Sequence, residues 1–488
     1  MSATDNKVLD ELVQTRLSPQ GLLDLSTIRH TPEMLQGLCI YIQQYTGNSN
    51  APSNNNQPKA IIGINFANCS LDDKCAEVIS EELIKKPIIR HLYLSDNNIT
   101  AAGLTIVGKS LRNNTSLEHL IMDNNNIGNE GQLSSLVWGL INNKCLLTLS
   151  LAGNNLGENI GSLRSCLSSQ NIALKFLNLS NNQLNPKTIK LLTSGLANNK
   201  SVLTLDLCNN NLGKQGTEEI ATMLTTNNTL MGLDVSDNNI TSAGINALSR
   251  ALMANNSLEF LSAANNNIGK KPMKALAKAL ASNHKLSALS LSGNNIGDEG
   301  SVYLSLGLKR NMSLNVLNLS GIGIGDVGCG AIARALMANK TIKEISLSDN
   351  NIEDTGLRAL VATAYRNKNL CRLDIDNNDF TNENPQVNQL EHILESNKRI
   401  SSAIEYNVAR TSMLISFVRA NADNPLRYSV LPLIPDVMEN MGYQKTKSAP
   451  KNVSASTDSA TASFPPSSPS SSMTNDDSKS DKKRKRRK

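Results

Sequence analysis

Aliphatic residues recur along this chain with a fixed spacing, L-x-x-L-x-L, and a polar turn follows each group. In the copy from 286 to 296, LSALSLSGNNI, Leu286, Leu289 and Leu291 are followed by Asn294. Twelve such copies begin 28 residues apart, with one step of 29. They start at Ile61, Ile89, Leu117, Leu146, Leu174, Val202, Leu230, Leu258, Leu286, Leu314, Ile342 and Leu370. An aliphatic pattern that recurs with so regular a period predicts a solenoid, in which each unit stacks on its neighbours.

Each unit predicts a short strand, a turn and a helix. The aliphatic residues of the strand point inward and the residues between them point outward, whereas the second half of the unit has helical spacing, as at Ile332 and Leu336. Stacked strands lie ~4.8 Å apart, but packed helices need ~8–10 Å, so the stack must curve. We therefore expect an α/β fold: a right-handed solenoid, or horseshoe, with a parallel sheet on the concave face and helices on the convex face.

Asparagine occupies two columns of the repeat. The first column follows the strand, where an amide can donate to and accept from neighbouring turns: Asn97, Asn125, Asn154, Asn182, Asn210, Asn238, Asn266, Asn294, Asn350 and Asn378. The second lies three residues before each new strand unit, where tolerance of left-handed backbone angles suits a helix C-cap; Asn255 and Asn283 are examples. Ile322 stands in the first column, which indicates either a weak joint or harmless drift.

The turn and helix start carry a family resemblance. The segment N-N-I-G-D-E-G from Asn294, with glycine at the matching place in other units (Gly103, Gly131, Gly216, Gly244, Gly328 and Gly356), resembles leucine-rich repeats of the ribonuclease-inhibitor type. The resemblance covers roughly 70% of the chain. It implies the horseshoe fold but no single activity, because the subfamily includes inhibitors, innate-immune sensors, a GTPase-activating protein and effectors of intracellular bacteria.

The repeat register divides the chain into four parts. We expect an N-terminal helical cap and loop at 1–60, about twelve leucine-rich repeats at 61–397, and a C-terminal helical cap at 398–445. Residues 446–488 are rich in Ser, Thr, Pro and Ala without periodic apolar positions, which predicts a disordered tail.

The net charge of +6 comes from the end of the chain. Without the last seven residues, 41 basic residues face 42 acidic ones. The basic run consists of Lys482, Lys483, Arg484, Lys485, Arg486, Arg487 and Lys488. An accessible run of this kind resembles a nuclear-import signal that an import receptor binds. Non-specific attraction to nucleic acid or anionic membrane, or no role at all, are the alternatives.

Several classes of protein are not indicated. No apolar run reaches the ~18 residues that span a bilayer, and acidic residues interrupt the N-terminus where a signal peptide needs an apolar stretch. The eight cysteines are scattered without a C-x-x-C pair, which favours reduced thiols over disulfides or zinc ligands. We expect a soluble, monomeric protein of the cytosol or nucleus with no metal and no cofactor.

The outward strand residues are the candidate binding surface, because solenoids bind partners along their concave face. His91, Tyr93, His119 and Ile121 fall at corresponding positions of adjacent strands and should form one patch. Asp206 and Asp234 form a mildly acidic stripe farther along. The alternative is that all six residues are neutral variation of the surface.

No residues are assigned to catalysis or to cofactor binding. Gly323, Gly325 and Gly328 spell G-x-G-x-x-G, but Gly325 and Gly328 repeat the glycines of the preceding unit, and a solenoid lacks the crevice that dinucleotides use. His91 and His119 are 28 residues apart and could form a metal pair, although a simple surface pair is the plainer interpretation. We therefore predict no enzymatic activity.

The most concrete hypothesis is a non-enzymatic interaction scaffold that holds another protein on its concave face. Similarity to the horseshoe effectors of intracellular bacteria implies action inside a host cell, where the basic run would direct the protein to the nucleus. A GTPase-activating protein resembling the Ran type and a ribonuclease inhibitor are the alternatives. The former carry an acidic stretch after the repeats, whereas the tail here is basic, and the latter use aromatic anchors, whereas aromatic residues are only 3% of this chain.

Overall fold

Thirteen short strands form one sheet in the computed structural model, which describes residues 3–18, 20–47, 60–128, 133–169, 172–380 and 384–401. The strands are β1 Leu22–Asp24, β2 Gly63–Asn65, β3 His91–Tyr93, β4 His119–Ile121, β5 Thr148–Ser150, β6 Phe176–Asn178, β7 Thr204–Asp206, β8 Gly232–Asp234, β9 Phe260–Ser262, β10 Ala288–Ser290, β11 Val316–Asn318, β12 Glu344–Ser346 and β13 Arg372–Asp374. Their order in the sheet is their order in the chain, and every neighbouring pair is parallel.

Helices alternate with the strands. They are α1 Ala3–Arg16, α2 Pro32–Gly47, α3 Asp73–Ile79, α4 Ala101–Leu111, α5 Ser134–Asn142, α6 Leu163–Leu167, α7 Pro186–Leu196, α8 Gly213–Leu224, α9 Ser242–Ala254, α10 Met273–Ser282, α11 Gly297–Leu308, α12 Asp326–Ala338, α13 Asp354–Arg366 and α14 Pro385–Ser401. A π-helical turn, Ser80–Ile84, extends α3, and a 3₁₀ turn, Gly157–Ser162, precedes α6.

The core lies between a layer of strands and a layer of helices. Each helix packs on the next helix along the chain, and each strand pairs with the next strand. The middle residue of each strand points into this core: Leu92 of β3 is fully buried in the same apolar cluster as Val107 and Leu111 of α4. Because every unit is incomplete without its neighbours, burial is shared along the whole stack. The predicted α/β repeat solenoid with a parallel sheet is confirmed.

The first asparagine column forms the predicted hydrogen-bonded ladder. Asn294 Nδ2 donates to the carbonyl oxygens of Ala263 and Leu291, at 2.9 and 2.8 Å. Its Oδ1 accepts from the N–H groups of Asn266 and Ile268, at 2.9 and 3.0 Å. One buried amide therefore joins the turns of two neighbouring repeats, which the backbone alone leaves without partners.

The second column caps the helices, but not through a left-handed backbone. Asn255, Asn283 and Asn339 follow α9, α10 and α12 with φ between −82° and −72° and ψ near 130°. The side chain makes the cap instead: Asn283 Nδ2 donates to Leu252 O of the previous helix at 2.7 Å, and its Oδ1 accepts from Leu286 N at 2.7 Å. The expectation of left-handed angles was wrong because the amide reaches the orphan carbonyl directly.

A carboxylate at the start of one helix binds the start of the next. Asp298 Oδ1 in α11 accepts from Gly325 N and Gly328 N at 2.9 and 2.7 Å. Asp326 Oδ1 accepts in the same way from Glu353 N and Gly356 N, at 2.9 and 2.8 Å. These bonds fix the stagger between successive helices, because they satisfy N–H groups that have no partner within the helix.

The N-terminal part contributes more than helices. Residues 1–60 include α1 and α2, and also β1, which pairs with β2 in the register Leu23 to Ile64. The 28-residue pattern did not predict this strand, because Leu23 lies 41 residues before its partner Ile64. At the other end, α14 begins at Pro385 and packs on α13. The predicted C-terminal cap beyond 401, the predicted disordered tail and the basic run lie outside the described residues.

Candidate functional site

The candidate site is the open face of the sheet, which we define as the face formed by the first and third residues of each strand. Its two rows follow from strand geometry, since side chains alternate between the faces and the middle residue is in the core. The register places residues 28 positions apart side by side, as with His91 and His119 or Asp206 and Asp234. The open face is the surface that the sequence predicted to bind a partner.

His91 and His119 stack directly on each other. Their ring centroids are 4.6 Å apart and the ring planes differ by 8°. His119 Nδ1 also lies 2.9 Å from Thr148 Oγ1 on β5. Burial and, secondarily, the neighbouring His91 lower the pKa of His119 to about 3. Parallel stacked rings point their nitrogen atoms outward along their edges, so this arrangement favours a packed imidazole pair over two ligands of one metal ion.

Tyr93 and Ile121 are also register partners, and they complete the four-residue cluster. The predicted adjacency of these side chains is therefore present in the structure. Tyr93 is 4% exposed and His119 and Ile121 are each 1% exposed. These three side chains are therefore almost fully buried. His91 is partly exposed and offers the most accessible ring of the cluster.

The acidic stripe also forms as predicted by the register. Asp206 and Asp234 are the third residues of β7 and β8, and both are at most 2% exposed. Each carboxylate accepts a hydrogen bond from the N–H two residues later: Cys208 N at 2.9 Å and Ser236 N at 2.8 Å. Burial is the main reason that the pKa of Asp234 is raised to about 6, and the carboxylate of Asp237 adds to it.

Sequence reasoning missed two features of the open face. Phe260, Ala288 and Val316 are register partners and form an apolar row of their own. The residue immediately before each strand is a third row; Arg90 and Lys175 in it are exposed, and Arg90 Nε lies 3.7 Å from Glu118 Oε1. Reading every column at the 28-residue period would have found both, since neither depends on the aliphatic spacing.

The glycine-rich segment is not a phosphate site. Gly323 has a left-handed φ of 73° and forms a turn before α12. The N–H groups of Gly325 and Gly328, which a phosphate would need, already donate to Asp298. Ile322 is fully buried, and its N–H donates to Asn350 Oδ1 at 3.1 Å. Strands β10, β11 and β12 keep the same register past it, so the strand pairing continues without a break.

A family model described as Leucine Rich repeat matches six stretches of the chain, each of which contains one strand, and five of which reach the start of the following helix. The matched residues are 86–105, 113–132, 226–249, 282–305, 310–333 and 338–361. These six stretches match leucine-rich repeats. The first two matches contain β3 and β4. The other four, from 226 onward, each extend over 24 residues of the 28-residue period and contain β8, β10, β11 and β12. Matched repeats therefore occur in both halves of the described sheet.

Three solved structures are among those to which the chain is similar. An internalin (inlF) of Listeria monocytogenes matches with 17% identity and a TM-score of 0.45, over 79% of this chain and 87% of that one. The yeast Rad7 and Elc1 complex matches with 16% identity and a TM-score of 0.43, over 78% and 86%. The actin-binding site 2 of leiomodin-1 matches with 19% identity and a TM-score of 0.28, over 34% and 96%. Identities this low say nothing about partners.

The leucine-rich repeat fold is typical of scaffolds for protein–protein interaction, and the matched model indicates no catalytic family. Within the described ranges, no helix is both long enough and apolar enough to cross a membrane.

Proposed function

We propose that this protein is a non-enzymatic scaffold that binds another protein on the open face of its sheet. The observation that carries the proposal is the unbroken register: each of the thirteen strands adds its first and third residues to the same continuous surface. Such a surface can contact an extended partner along its length. Most of the residues at the third position of the strands are small and polar, so affinity has to come from a few larger side chains.

The larger side chains are concentrated near the N-terminal end of the face. The stacked rings of His91 and His119 and the neighbouring Tyr93 and Ile121 form the cluster, and Arg90 is exposed beside it. Aromatic residues and arginine are the residue types that most often anchor protein interfaces. We therefore place the main contacts of the partner there, on Arg90 and on the partly exposed ring of His91.

A capture experiment tests this placement. We substitute Tyr93→Ser and His119→Thr together, which are the residues that β5 carries at the same positions (Ser150 and Thr148), so that strand pairing is retained. Tagged full-length protein is used to capture proteins from a eukaryotic cell lysate, and they are quantified by mass spectrometry. We expect at least a tenfold loss of the partners that wild type captures, because the accessible ring of His91 loses the stacked ring of His119 that positions it.

The matched control truncates two large exposed side chains, Leu306 in α11 and Met312 in the turn that follows it. Leu306→Ala with Met312→Ala removes side chains of residues that are 63% and 74% exposed, and the captured proteins should be unchanged. If this control variant loses the partners while the cluster variant keeps them, the binding face is wrongly assigned.

The basic run at 482–488 determines the cellular location of the scaffold in this proposal. We propose that an import receptor binds these seven cations and that the protein acts in a nucleus. The ribonuclease-inhibitor-like glycine pattern and the basic run together support a bacterial effector that acts in a host cell. Non-specific contact of the run with nucleic acid is the competing interpretation.

A further inference from the structure

We propose that the groove between α13 and α14 binds a short stretch of single-stranded nucleic acid. The groove is open, has a volume of about 370 Å³, and is lined by no acidic residue of the described ranges. One wall comes from α13 and the other from α14. The lining residues are Arg358, Val361, Ala362, Tyr365, Arg366, Gln386 and Gln389. Two guanidinium groups, one aromatic ring and two amides thus share one site.

Both arginines of the groove can bind an anion. Arg358 and Arg366 are exposed, and neither forms an ion pair with a described residue. Arg358 donates to the hydroxyl of Thr355 at 3.3 Å, which leaves its charge without a carboxylate partner in this part of the chain. The two arginines lie about 12 Å apart along the helix axis, and a guanidinium group binds phosphate oxygens through paired N–H donors. The groove therefore offers two separate phosphate sites.

Tyr365 is the feature that favours a nucleic acid over other anions. Its side chain is 67% exposed, and Lys368 Nζ lies 4.9 Å from the centroid of its ring. Bases of single strands stack on exposed aromatic rings that have cations beside them. The amides of Gln386 and Gln389 on the facing wall can donate to and accept from a base edge. A duplex keeps its bases stacked on each other, so only an unpaired base can use this ring.

The two arginines and the tyrosine do not belong to the repeat pattern. The positions 28 residues earlier, in α12, hold Gly330, Met337 and Ala338. Arg366 lies in the last turn of α13, where a cation interacts favourably with the helix dipole. Arg358 lies in the first half of the same helix, where the dipole does not favour a cation. The stability of the helix therefore does not explain the group of side chains in the groove.

The positive charge continues from the groove along the ends of α11 and α12. The segments 309–313, 337–341 and 365–369 contain five cations and no acidic residue. Hydrogen bonds between cap asparagines hold the segments side by side: Asn339 Nδ2 donates to Asn311 O at 3.0 Å, and Asn367 Nδ2 donates to Asn339 O at 3.1 Å. All five cations are exposed: Lys309, Arg310, Lys340, Arg366 and Lys368. Phosphates on either side of a base on Tyr365 would therefore meet further cations.

Fluorescence anisotropy of a labelled short oligothymidylate tests the proposal. The parent protein is the full chain in which the seven cations of 482–488 are replaced by Gln, so that the basic run does not contribute to binding. Tyr365→Ala should weaken binding at least fivefold, because the stacked base loses its platform, whereas Tyr365→Phe keeps the ring and should bind as the parent does. Arg358→Gln and Arg366→Gln should each reduce the slope of log K against log salt concentration by about 0.7.

The matched control is Arg250→Gln, an exposed arginine of α9 outside the groove, which should leave the affinity and the salt slope unchanged. All substituted side chains are exposed, so the melting temperature should stay that of the parent. Absence of binding by the parent, or equal binding by the Tyr365→Ala variant, would overturn the proposal. Tighter binding of a duplex of the same length, or of poly-glutamate of equal charge, would also overturn it; the latter result would assign the groove to an acidic protein.

Discussion

A single amide can hold two repeats together, and Asn294 shows how. It makes hydrogen bonds to carbonyl groups of its own and the preceding turn and accepts from two N–H groups of the preceding turn. Leaving such a buried group without a partner costs about 1–3 kcal/mol. Hydrogen bonding therefore explains why asparagine recurs in this column. At Ile322 an apolar side chain is buried instead, and the hydrogen bonds of the amide are lost.

His119 makes the stability of the protein depend on pH. Because burial holds its pKa at about 3, the folded protein keeps the ring neutral while the unfolded chain takes up a proton below pH ~6.5. The free energy of unfolding therefore falls by about 1.4 kcal/mol per pH unit as the pH drops below 6.5. Denaturant unfolding of wild type at pH 6.5 and 5.0 should show about 2 kcal/mol more loss than the His119→Thr variant.

The difference between the two proteins is the quantity that matters, because carboxylates elsewhere titrate equally in both. The packing that His119→Thr removes costs the same free energy at every pH. It therefore does not contribute to the difference in pH dependence between the two proteins. Parallel pH curves for the two proteins would mean that His119 is protonated in the folded state.

At the scale of the element, contacts between helix starts explain which glycines are required. A Cβ atom on Gly328 would lie 2.6 Å from Asp298 Oδ1 and 3.0 Å from Asp298 Cα. The same place in α13 is held by Gly356, next to Asp326. Close approach of the carboxylate to the helix N–H leaves no room for a side chain. The recurrent glycine of the repeat therefore packs between neighbouring helices.

Two glycines of the same helix should respond in opposite ways to alanine. Gly328→Ala should lower the free energy of unfolding by about 1–3 kcal/mol, because the methyl group displaces Asp298 and breaks its hydrogen bonds. Gly330→Ala should raise it by about 0.5–1 kcal/mol, because Cβ meets only Arg334 Nη1 at 3.5 Å and alanine favours the helix. Chemical denaturation of both variants measures this; a destabilised Gly330→Ala protein would show that helix propensity is not the deciding term.

At the scale of the whole molecule, charge is distributed unevenly between the repeats and the end of the chain. The repeats carry salt bridges between neighbouring units, such as Lys285 Nζ to Glu259 Oε1 at 2.7 Å and Lys270 Nζ to Glu299 Oε2 at 2.6 Å. The seven consecutive cations at 482–488 have no acidic residue among them. A run of that kind attracts an acidic partner more strongly than the balanced charges of the repeats do.

Deleting 482–488 should move the tagged protein from the nucleus to the cytoplasm, because the import receptor loses its charged ligand. Fluorescence microscopy of the full-length and shortened proteins in eukaryotic cells measures the nuclear fraction. The control fuses 482–488 to an inert reporter, which should enter the nucleus. An unchanged distribution of the shortened protein would refute the import proposal.

The sequence was sufficient for the fold and for the adjacency of the candidate residues. Aliphatic spacing predicted the strands, and the 28-residue period placed His91 beside His119 and Asp206 beside Asp234. It could not predict that His119 would be almost fully buried, since burial depends on what packs around an outward position. The strand β1 was missed because its residues lie 41 positions before their partners in β2, as with Leu23 and Ile64, and not 28.

Periodicity alone determined the solenoid, because each repeat has the same buried pattern and can satisfy it only by stacking on a copy of itself. Tertiary structure decided the details that depend on distances between neighbouring repeats. It turned the helix-capping asparagines into side-chain caps, joined Asp298 to the next helix, and brought Asp234 within 4.8 Å of Asp206 and Cys208 in the preceding repeat. Those contacts arise from side chains of different units, and no local pattern in one unit encodes their geometry.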